Sequence, residues 1–270
     1  GTAWYIPVRA ALGERLVSET DVLAALRPVL ESHEIEKVAH DLKHHIVALR
    51  RAGIRLAGLG LDTMVADYLM EAGERTHHVD QLAARYLQHS AMSLGSLLGV
   101  GQQQLAIDLL PVSDMTKYAA ELSDIVLRVS RVQESKLRSE DLWQLYESVE
   151  GPLIEVLADM EFQGVCVDVE LLARLGREFT ARLAEITRQV YELAGGEFNI
   201  ASPIQLRQVL FEKLKLPVLK RTKTGPSADQ EVLEQLATRH PLPALLIEHR
   251  QISKLKGTYV EALPRLVNPD

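Results

Sequence analysis

The sequence has very little cysteine and no long apolar run. Cys166 is the single cysteine among 270 residues, so no disulfide can form within the chain, which suits a reducing compartment. No run of about 18 apolar residues occurs, and we therefore expect no membrane-spanning helix. The N-terminal residues do not combine a basic segment with a following apolar one, so we expect no signal peptide there. An initiator methionine is also missing, and we expect a piece of a longer protein.

Hydrophobic residues make up 47% of the chain, enough for one large or two ordinary domains with their own cores. The first half mixes predicted strands and helices, which favours an α/β unit that begins part-way through. The predicted strands are residues 3–8 and 36–39. The predicted helices of this half begin at Ser18, His40, Asp62 and His78.

Positive charge is concentrated in one stretch of the second half. Residues 198–259 hold ten Lys and Arg but five Asp and Glu, whereas the whole chain has a net charge of −7. An acidic protein that collects cations in one stretch directs them at an anionic partner, and phosphate is the leading candidate.

Helix start signals divide this basic stretch into two short helices and a loop. Ser202 is a cap, Pro203 occupies the first helical position and Gln205 occupies the capping-box position, so a helix is predicted to about Lys215. Ser227 repeats the start signal for a second helix. The basic segment between the two helices, residues 213–226, holds five cations and no acid.

A third helix is predicted over residues 243–262. One face of it, at spacings of three and four residues, carries Arg250, Ser253, Lys254 and Gly257. Glycine inside a helix costs about 1 kcal/mol relative to alanine, and close approach of another backbone, here a phosphate chain, is a reason to tolerate it. An ordinary solvated face would give the same pattern, and the charge distribution of the chain favours binding.

Three segments of this stretch resemble, in order and spacing, the thumb of family A DNA polymerases of the bacterial DNA polymerase I type. They are FNIASPIQL, LPVLKRTKTGPSADQEVLEQL and HPLPALLIEHRQISKLKGTY. In that family the thumb grips the primer–template backbone. The resemblance places at the DNA phosphates Asn199, Thr222, Lys223, Ser227, Arg250 and Lys254. Ala201 and Ala228 depart from the family, which usually has polar residues there, so we expect a slightly weaker grip.

The segment from His40 to His45 holds a dense group of potential metal ligands. His40 and His44 are four residues apart on a predicted helix, the separation that lets two imidazoles share one metal. A zinc hydrolase that uses His40, His44 and His45 is one hypothesis. No third ligand outside the segment is identifiable, and Asp41 is one methylene shorter than the general base of the zinc-peptidase motif.

The same segment is similar to the second motif of the 3′–5′ proofreading exonuclease that precedes the polymerase in family A. The Asn, the aromatic residue and the metal-binding Asp of that motif correspond here to Asp41, His44 and His45. The Tyr and the metal-binding Asp of the third motif correspond to Tyr118 and Leu122. The first motif is expected upstream of the first residue.

These replacements predict a proofreading domain that keeps its fold and has lost its chemistry. Two-metal phosphodiester cleavage needs carboxylates that hold two divalent ions about 4 Å apart. Leucine cannot bind a metal, and histidine is a poor substitute for a carboxylate with Mg²⁺. Glu121 and Asp124 project about 100° and 200° away from Leu122 on a helix, so neither simply replaces it. Tyr118 is expected to remain as a packing residue, and a misaligned core leucine is the alternative interpretation of Leu122.

Residues 139–196 predict a succession of helices. A start signal lies at Ser139, a break at Gly151-Pro152 and a stop at Gly164. Residues 150–168 also resemble the segment that opens the polymerase domain of family A. Asp168 then caps a helix of roughly 38 Å, which is suited to a stalk. A noncatalytic interaction module that binds a protein partner through this helix is a further alternative.

The predicted fold is α/β plus all-α. Residues 1–145 are an incomplete ribonuclease H-like exonuclease domain, and residues 146–270 are a helical polymerase thumb with a long stalk helix. The resemblance implies a DNA-directed DNA polymerase of replication and repair, located in the bacterial cytoplasm at the nucleoid. Duplex primer–template DNA is the expected partner of a monomer. No cofactor or catalysis is expected in this chain, because the family's Mg²⁺-binding palm carboxylates and its fingers come later.

Overall fold

Many helices and four short strands make up the part of the chain described by the computed structural model, which is residues 2–99, 101, 104–223 and 225–268. Among these residues no helix is long and apolar enough to cross a membrane. The chain divides into a first unit, Gly1–Gly164, and a second unit, Val165–Asp270. Thr224, which belongs to the predicted basic loop, lies outside the described residues.

The first unit combines a two-stranded parallel sheet with helices. Its strands are β1 (Lys37–Ala39) and β2 (Leu59–Asp62). Its helices are α1 (Glu19–Leu30), α2 (Leu42–Arg51), α3 (Thr63–Met70), α4 (Val79–Leu87), α5 (Leu94–Leu98), α6 (Val112–Ser139), α7 (Trp143–Leu145) and α8 (Gly151–Gln163). A 3₁₀ turn (Ile107–Leu109) precedes α6, and a π-helical turn (Tyr146–Glu150) joins α7 to α8.

The predicted starts of the early helices are confirmed, because they depend on local capping. Ser18 accepts a hydrogen bond from the Asp21 backbone at the start of α1. Asp62 accepts bonds from two backbone N–H groups at the start of α3. His78 occupies the N-cap of α4. Each cap satisfies N–H groups that the first turn of a helix leaves without an intrahelical acceptor.

Residues 3–8 form no strand, which corrects the sequence prediction. Trp4 within this segment is 84% exposed. A strand is stable when its backbone groups pair with a neighbouring strand, and no described segment provides that pairing. The apolar run alone therefore did not suffice.

The predicted helix start at Ser139 is also wrong. Ser139 is the last residue of α6, a helix of 28 residues. Gly151 and Pro152 do not interrupt the following helix either, since they form the first turn of α8. Proline is tolerated there because its missing N–H would have no intrahelical acceptor in any case.

Helix α8 packs with the first unit. Leu42, Ile46 and Val47 of α2 form a buried cluster with Ile154 and Ala158 of α8. The sequence predicts a domain boundary after residue 145, whereas the first unit continues to the end of α8 and Gly164.

The second unit is helical apart from a small hairpin. Its helices are α9 (Val169–Ala194), α10 (Pro203–Arg207), α11 (Gln230–Ala237) and α12 (Pro241–Leu255). π-Helical turns extend α10 over Gln208–Lys213 and α12 over Lys256–Val260, and a 3₁₀ turn follows at Leu263–Leu266. The hairpin pairs β3 (Arg221–Thr222) with β4 (Gly225–Pro226) in antiparallel register.

The predicted stalk helix is confirmed as α9. Asp168 accepts a hydrogen bond of 2.8 Å from the Leu171 backbone, and Gly195 ends the helix in the left-handed conformation. Ile186 and Val190 of α9 are fully buried against α10, α11 and α12. The core of the second unit therefore lies at the C-terminal half of α9.

Candidate functional sites

The first candidate site is a cleft of about 560 Å³ in the first unit. Helix α6 contributes Tyr118, Glu121 and Leu122 to its wall. The residues before α2 and at the start of α4 contribute His40 and His78. Two of the predicted degenerate exonuclease positions, on α6, therefore share one cavity.

Of the three histidines in residues 40–45, His40 lines the cleft, whereas His44 and His45 do not. His40 Nδ1 lies 2.9 Å from Thr63 Oγ1, and burial lowers the pKa of His40 despite the nearby Asp62. His44 and His45 are exposed and do not line the cleft. His40 and His78 are 38 positions apart, and the sequence carries no local signal that both line one cleft.

Glu121 lines the cleft but is already engaged. Its two carboxylate oxygens accept hydrogen bonds of 2.7 Å from His89 Nε2 and 2.9 Å from the Met92 backbone. The His89 bond is the main reason that the pKa of Glu121 is lowered. Leu122 beside it offers no donor atom, and Tyr118 is half-buried in the same wall.

The acidic residues beneath the cleft serve the fold. Asp41 is the N-cap of α2 in the left-handed conformation, and its carboxylate accepts a hydrogen bond from the His44 backbone. Asp62 is buried and accepts hydrogen bonds from the Asp41, Leu42 and Met64 backbones. These carboxylates thus hold the starts of two helices in place.

Asp67 is a further buried carboxylate that serves the fold. It accepts hydrogen bonds from Arg85, from the Tyr86 hydroxyl at 2.6 Å and from His77 at 2.7 Å. Those contacts lower the pKa of Asp67 against the opposing effect of its burial. A carboxylate with three such donors has little capacity left for a metal.

The side chains at the cleft do not fit a pair of divalent ions. Across the described ranges, no group of three or more His, Cys, Asp and Glu side chains is arranged to hold a metal. Leu122 has no ligand atom, and Glu121 is engaged by His89. The zinc hypothesis on His40, His44 and His45 finds no support in this geometry, because His40 lines the cleft and the other two do not.

The second candidate site is the basic hairpin β3–β4 with the adjoining face of α12. Thr222 Oγ1 donates to the Gly225 carbonyl across the hairpin at 3.0 Å. Lys223 lies in the turn and Lys254 on α12, and both are exposed. Neither lysine forms a hydrogen bond or ion pair with any residue that the structure describes.

Asn199 lies before α10 and organises the backbone there. Its side-chain oxygen accepts a bond of 2.9 Å from Ala201 N, and its own N–H donates to Gln205 Oε1 at 2.7 Å. Gln205 therefore reaches past the cap residue Ser202, which is a variation on the predicted capping box. The Asn199 residue itself remains exposed.

Ser227 and Arg250 are both engaged within the second unit. Ser227 is buried and accepts a hydrogen bond of 3.3 Å from the Asp229 backbone. Asp229, not Ser227, is the N-cap of α11. Arg250 donates to the Ala228 carbonyl at 2.8 Å, and burial lowers its pKa. The Ser227 contact is a local turn, whereas the Arg250 contact joins residues 22 positions apart and has no local sign in the sequence.

Five cations in residues 198–259 have no hydrogen-bond or ion-pair partner within the described part of the chain. They are Lys215, Arg221, Lys223, Arg239 and Lys254. The first unit carries 15 Lys and Arg against 24 Asp and Glu, whereas the second carries 15 against 13. The two units thus have equal numbers of cations, and the second unit has a net positive charge because it has fewer carboxylates.

Comparison with known proteins matches both units. The family described as 3′-5′ exonuclease matches residues 1–137, and the family described as DNA polymerase family A matches residues 169–270. DNA polymerase I of Pseudomonas aeruginosa is 38% identical over 100% of this chain, and that of Bacillus subtilis is 38% identical over 99%. The chain spans 30% and 29% of the lengths of these two relatives.

A solved structure is similar as well. It is described as the POL domain of Pol1 from M. smegmatis in complex with DNA primer-template and dNTP. The TM-score is 0.78 at 30% identity, and the similarity covers 94% of this chain and 41% of the other. The chain belongs to the 3′-5′ exonuclease family over residues 1–137, and its helical residues 169–270 match DNA polymerase family A. The predicted family and fold class are therefore confirmed.

Proposed function

We propose that this chain is part of a DNA-directed DNA polymerase of replication and repair, in which the second unit holds a primer–template duplex. The similarity to bacterial DNA polymerase I over the whole chain and to a structure described with DNA primer-template supports this function. The observation that carries it is the group of five exposed cations without a partner among the described residues of 198–259. Such cations are what a phosphate backbone requires.

The binding mode follows from the type of side chain available. Lysines on a hairpin turn and on one helix face reach phosphates, which are identical for every sequence. We therefore expect sequence-independent binding that is weak for this chain alone. Asn199 and Thr222 are expected to add hydrogen bonds to the phosphates, and Ala201 and Ala228 to provide none.

The first unit acts as a scaffold without exonuclease activity in this proposal. The position of a metal-binding Asp in the family's third motif holds Leu122, and His45 lies outside the cleft. Mg²⁺ is expected at the polymerase site of the parent protein, in palm residues that this chain does not include. The parent is expected to be a monomer in the bacterial cytoplasm, associated with the nucleoid.

The test is a salt titration of binding to a short primer–template duplex. With about five phosphate contacts, the slope of log K against log [salt] is expected to be about −4.5. The double variant Lys223→Ala, Lys254→Ala is expected to have a slope shallower by about 1.8, since each contact contributes roughly 0.9. Fluorescence anisotropy of a labelled duplex measures the salt slopes of the wild type and of the double variant.

The matched control is Arg75→Ala, Arg131→Ala in the first unit, which removes the same charge from exposed positions. Its slope should equal that of the wild type. No binding at low salt, or equal losses in both double variants, would contradict the proposed grip.

A further inference from the structure

The hairpin is attached at both of its ends to the helices beneath it. Lys220, which enters the hairpin, accepts a hydrogen bond from Ser227 N, which leaves it, at 2.9 Å. The Lys220 ammonium lies 2.8 Å from Asp229 Oδ2. The residues on either side of β3–β4 are therefore tied to each other and to Asp229, the N-cap residue of α11.

Asp229 performs two tasks with its two oxygens. Oδ1 accepts a hydrogen bond of 3.0 Å from Val232 N and so caps α11, while Oδ2 holds Lys220. The Lys220 contact is the main reason that the pKa of Asp229 is lowered to about 2. The carboxylate is therefore ionised at neutral pH and keeps both partners.

Arg250 adds a third attachment from α12. Its guanidinium donates to the Ala228 carbonyl, directly before Asp229. Leu233 of α11 is packed against Leu242 and Leu246 of α12 in the same core, so this segment rests on a rigid base. The Arg250 guanidinium is thus directed at the hairpin exit. Two of the available cations, Arg221 and Lys223, lie in β3 and its turn.

We propose that Lys220, Asp229 and Arg250 form a latch of positioning residues that fixes the hairpin and thereby directs Arg221 and Lys223 to the DNA phosphates. This inference rests on the proposed function. The latch gives the cations of this site two different roles, positioning the hairpin and contacting phosphates. Arg250 acts mainly through the hairpin, and Arg221 becomes a further phosphate contact.

The most informative variant is Asp229→Asn. Simple attraction between the cations and DNA, and the latch, predict changes in duplex affinity of opposite sign. The amide oxygen still caps α11, since Asn is as good a cap as Asp, but the ion pair with Lys220 is lost. The net charge becomes more positive, so simple attraction to DNA predicts tighter binding. The latch predicts weaker binding, by up to about fivefold, because the pair is exposed to solvent.

The matched control is Glu234→Gln on α11, which changes the charge equally and lies outside the latch. It should bind duplex as tightly as the wild type or more tightly. Hydrogen exchange without DNA supplies a second readout, which a pure phosphate contact would not affect. The amides of Arg221, Thr222, Lys223 and Gly225 should exchange several-fold faster in Asp229→Asn and in Arg250→Lys, with those of α9 unchanged.

Faster hairpin exchange together with weaker binding in Asp229→Asn supports the latch. Unchanged exchange, or tighter binding equal to that of Glu234→Gln, overturns it. Arg221→Ala should lower the salt slope by about 0.9 without altering hairpin exchange, and an unchanged slope would overturn its assignment as a contact. Failure of the wild type to bind duplex would overturn the proposed function, and the exchange data would then decide the latch alone.

Discussion

Gly257 shows how a single residue can connect fold stability and binding. It lies in the π-helical turn that follows α12, and a Cβ atom placed there would meet no atom within 4 Å. Nothing in the described packing therefore requires glycine at this position. Since glycine costs about 1 kcal/mol relative to alanine in a helix interior, its presence favours close approach by a partner outside the chain.

Gly257→Ala should therefore separate stability from binding. We expect the free energy of unfolding to stay equal or to rise by up to about 1 kcal/mol. Affinity for duplex should fall by about fivefold, as the added methyl group crowds a phosphate chain. Urea unfolding and anisotropy measure the two effects. A variant that binds duplex as tightly as the wild type would show that no phosphate comes close to this turn.

At the scale of elements, the contact between β2 and the π-helical turn before α8 depends on one hydroxyl. Tyr146 OH accepts a hydrogen bond of 2.7 Å from Asp62 N and donates to the Gly60 carbonyl at 3.1 Å. Burial raises the pKa of Tyr146 to about 12. The neutral phenol is therefore the form that the folded state requires.

This contact should make the first unit sensitive to alkaline pH. The unfolded tyrosine ionises near pH 10, so the folded state binds more protons between pH 10 and pH 12. The stabilisation is complete below pH 10 and declines as the pH rises toward 12, by about 2 kcal/mol at pH 11.5. Urea unfolding of wild type and Tyr146→Phe at pH 9 and pH 11.5 measures this decline.

The Tyr146→Phe variant serves as the reference, because every other group that titrates between pH 9 and pH 11.5 changes the free energy of unfolding equally in both proteins. It should be less stable than the wild type at pH 9 by about 1–3 kcal/mol, because two buried backbone groups lose their partner. The difference between the two proteins should shrink at pH 11.5. A constant difference across this range would contradict the role given to the hydroxyl.

At the scale of the whole molecule, the two units differ in the sign of their net charge. The first unit has a net charge of −9 and the second a net charge of +2. A polyanion such as DNA is therefore attracted to the second unit and repelled by the first.

Hydrogen exchange with and without duplex should show this division. We expect protection in residues 221–226 and along α12, where the available cations lie, and none along α6 of the first unit. A single-stranded oligonucleotide of equal charge serves as the comparison. Protection centred on the cleft beside Tyr118 would contradict the assignment of binding to the second unit.

The sequence by itself determined the features that depend on neighbours within about four residues. Ser18 and Asp168 cap α1 and α9 as predicted, and the family motifs located both regions of the chain, because capping and motif spacing are local properties. It was misled at residues 3–8, where an apolar run has no partner strand among the described residues.

Only the tertiary structure decided which distant side chains meet. It placed His40 beside His78 in the cleft, buried Ser227, and committed Arg250 to the Ala228 carbonyl. These contacts join residues up to 38 positions apart and arise from the packing of whole helices, which no local pattern encodes. The cations of the second unit could therefore be counted from the sequence, but their division between structural contacts and exposed positions required the fold.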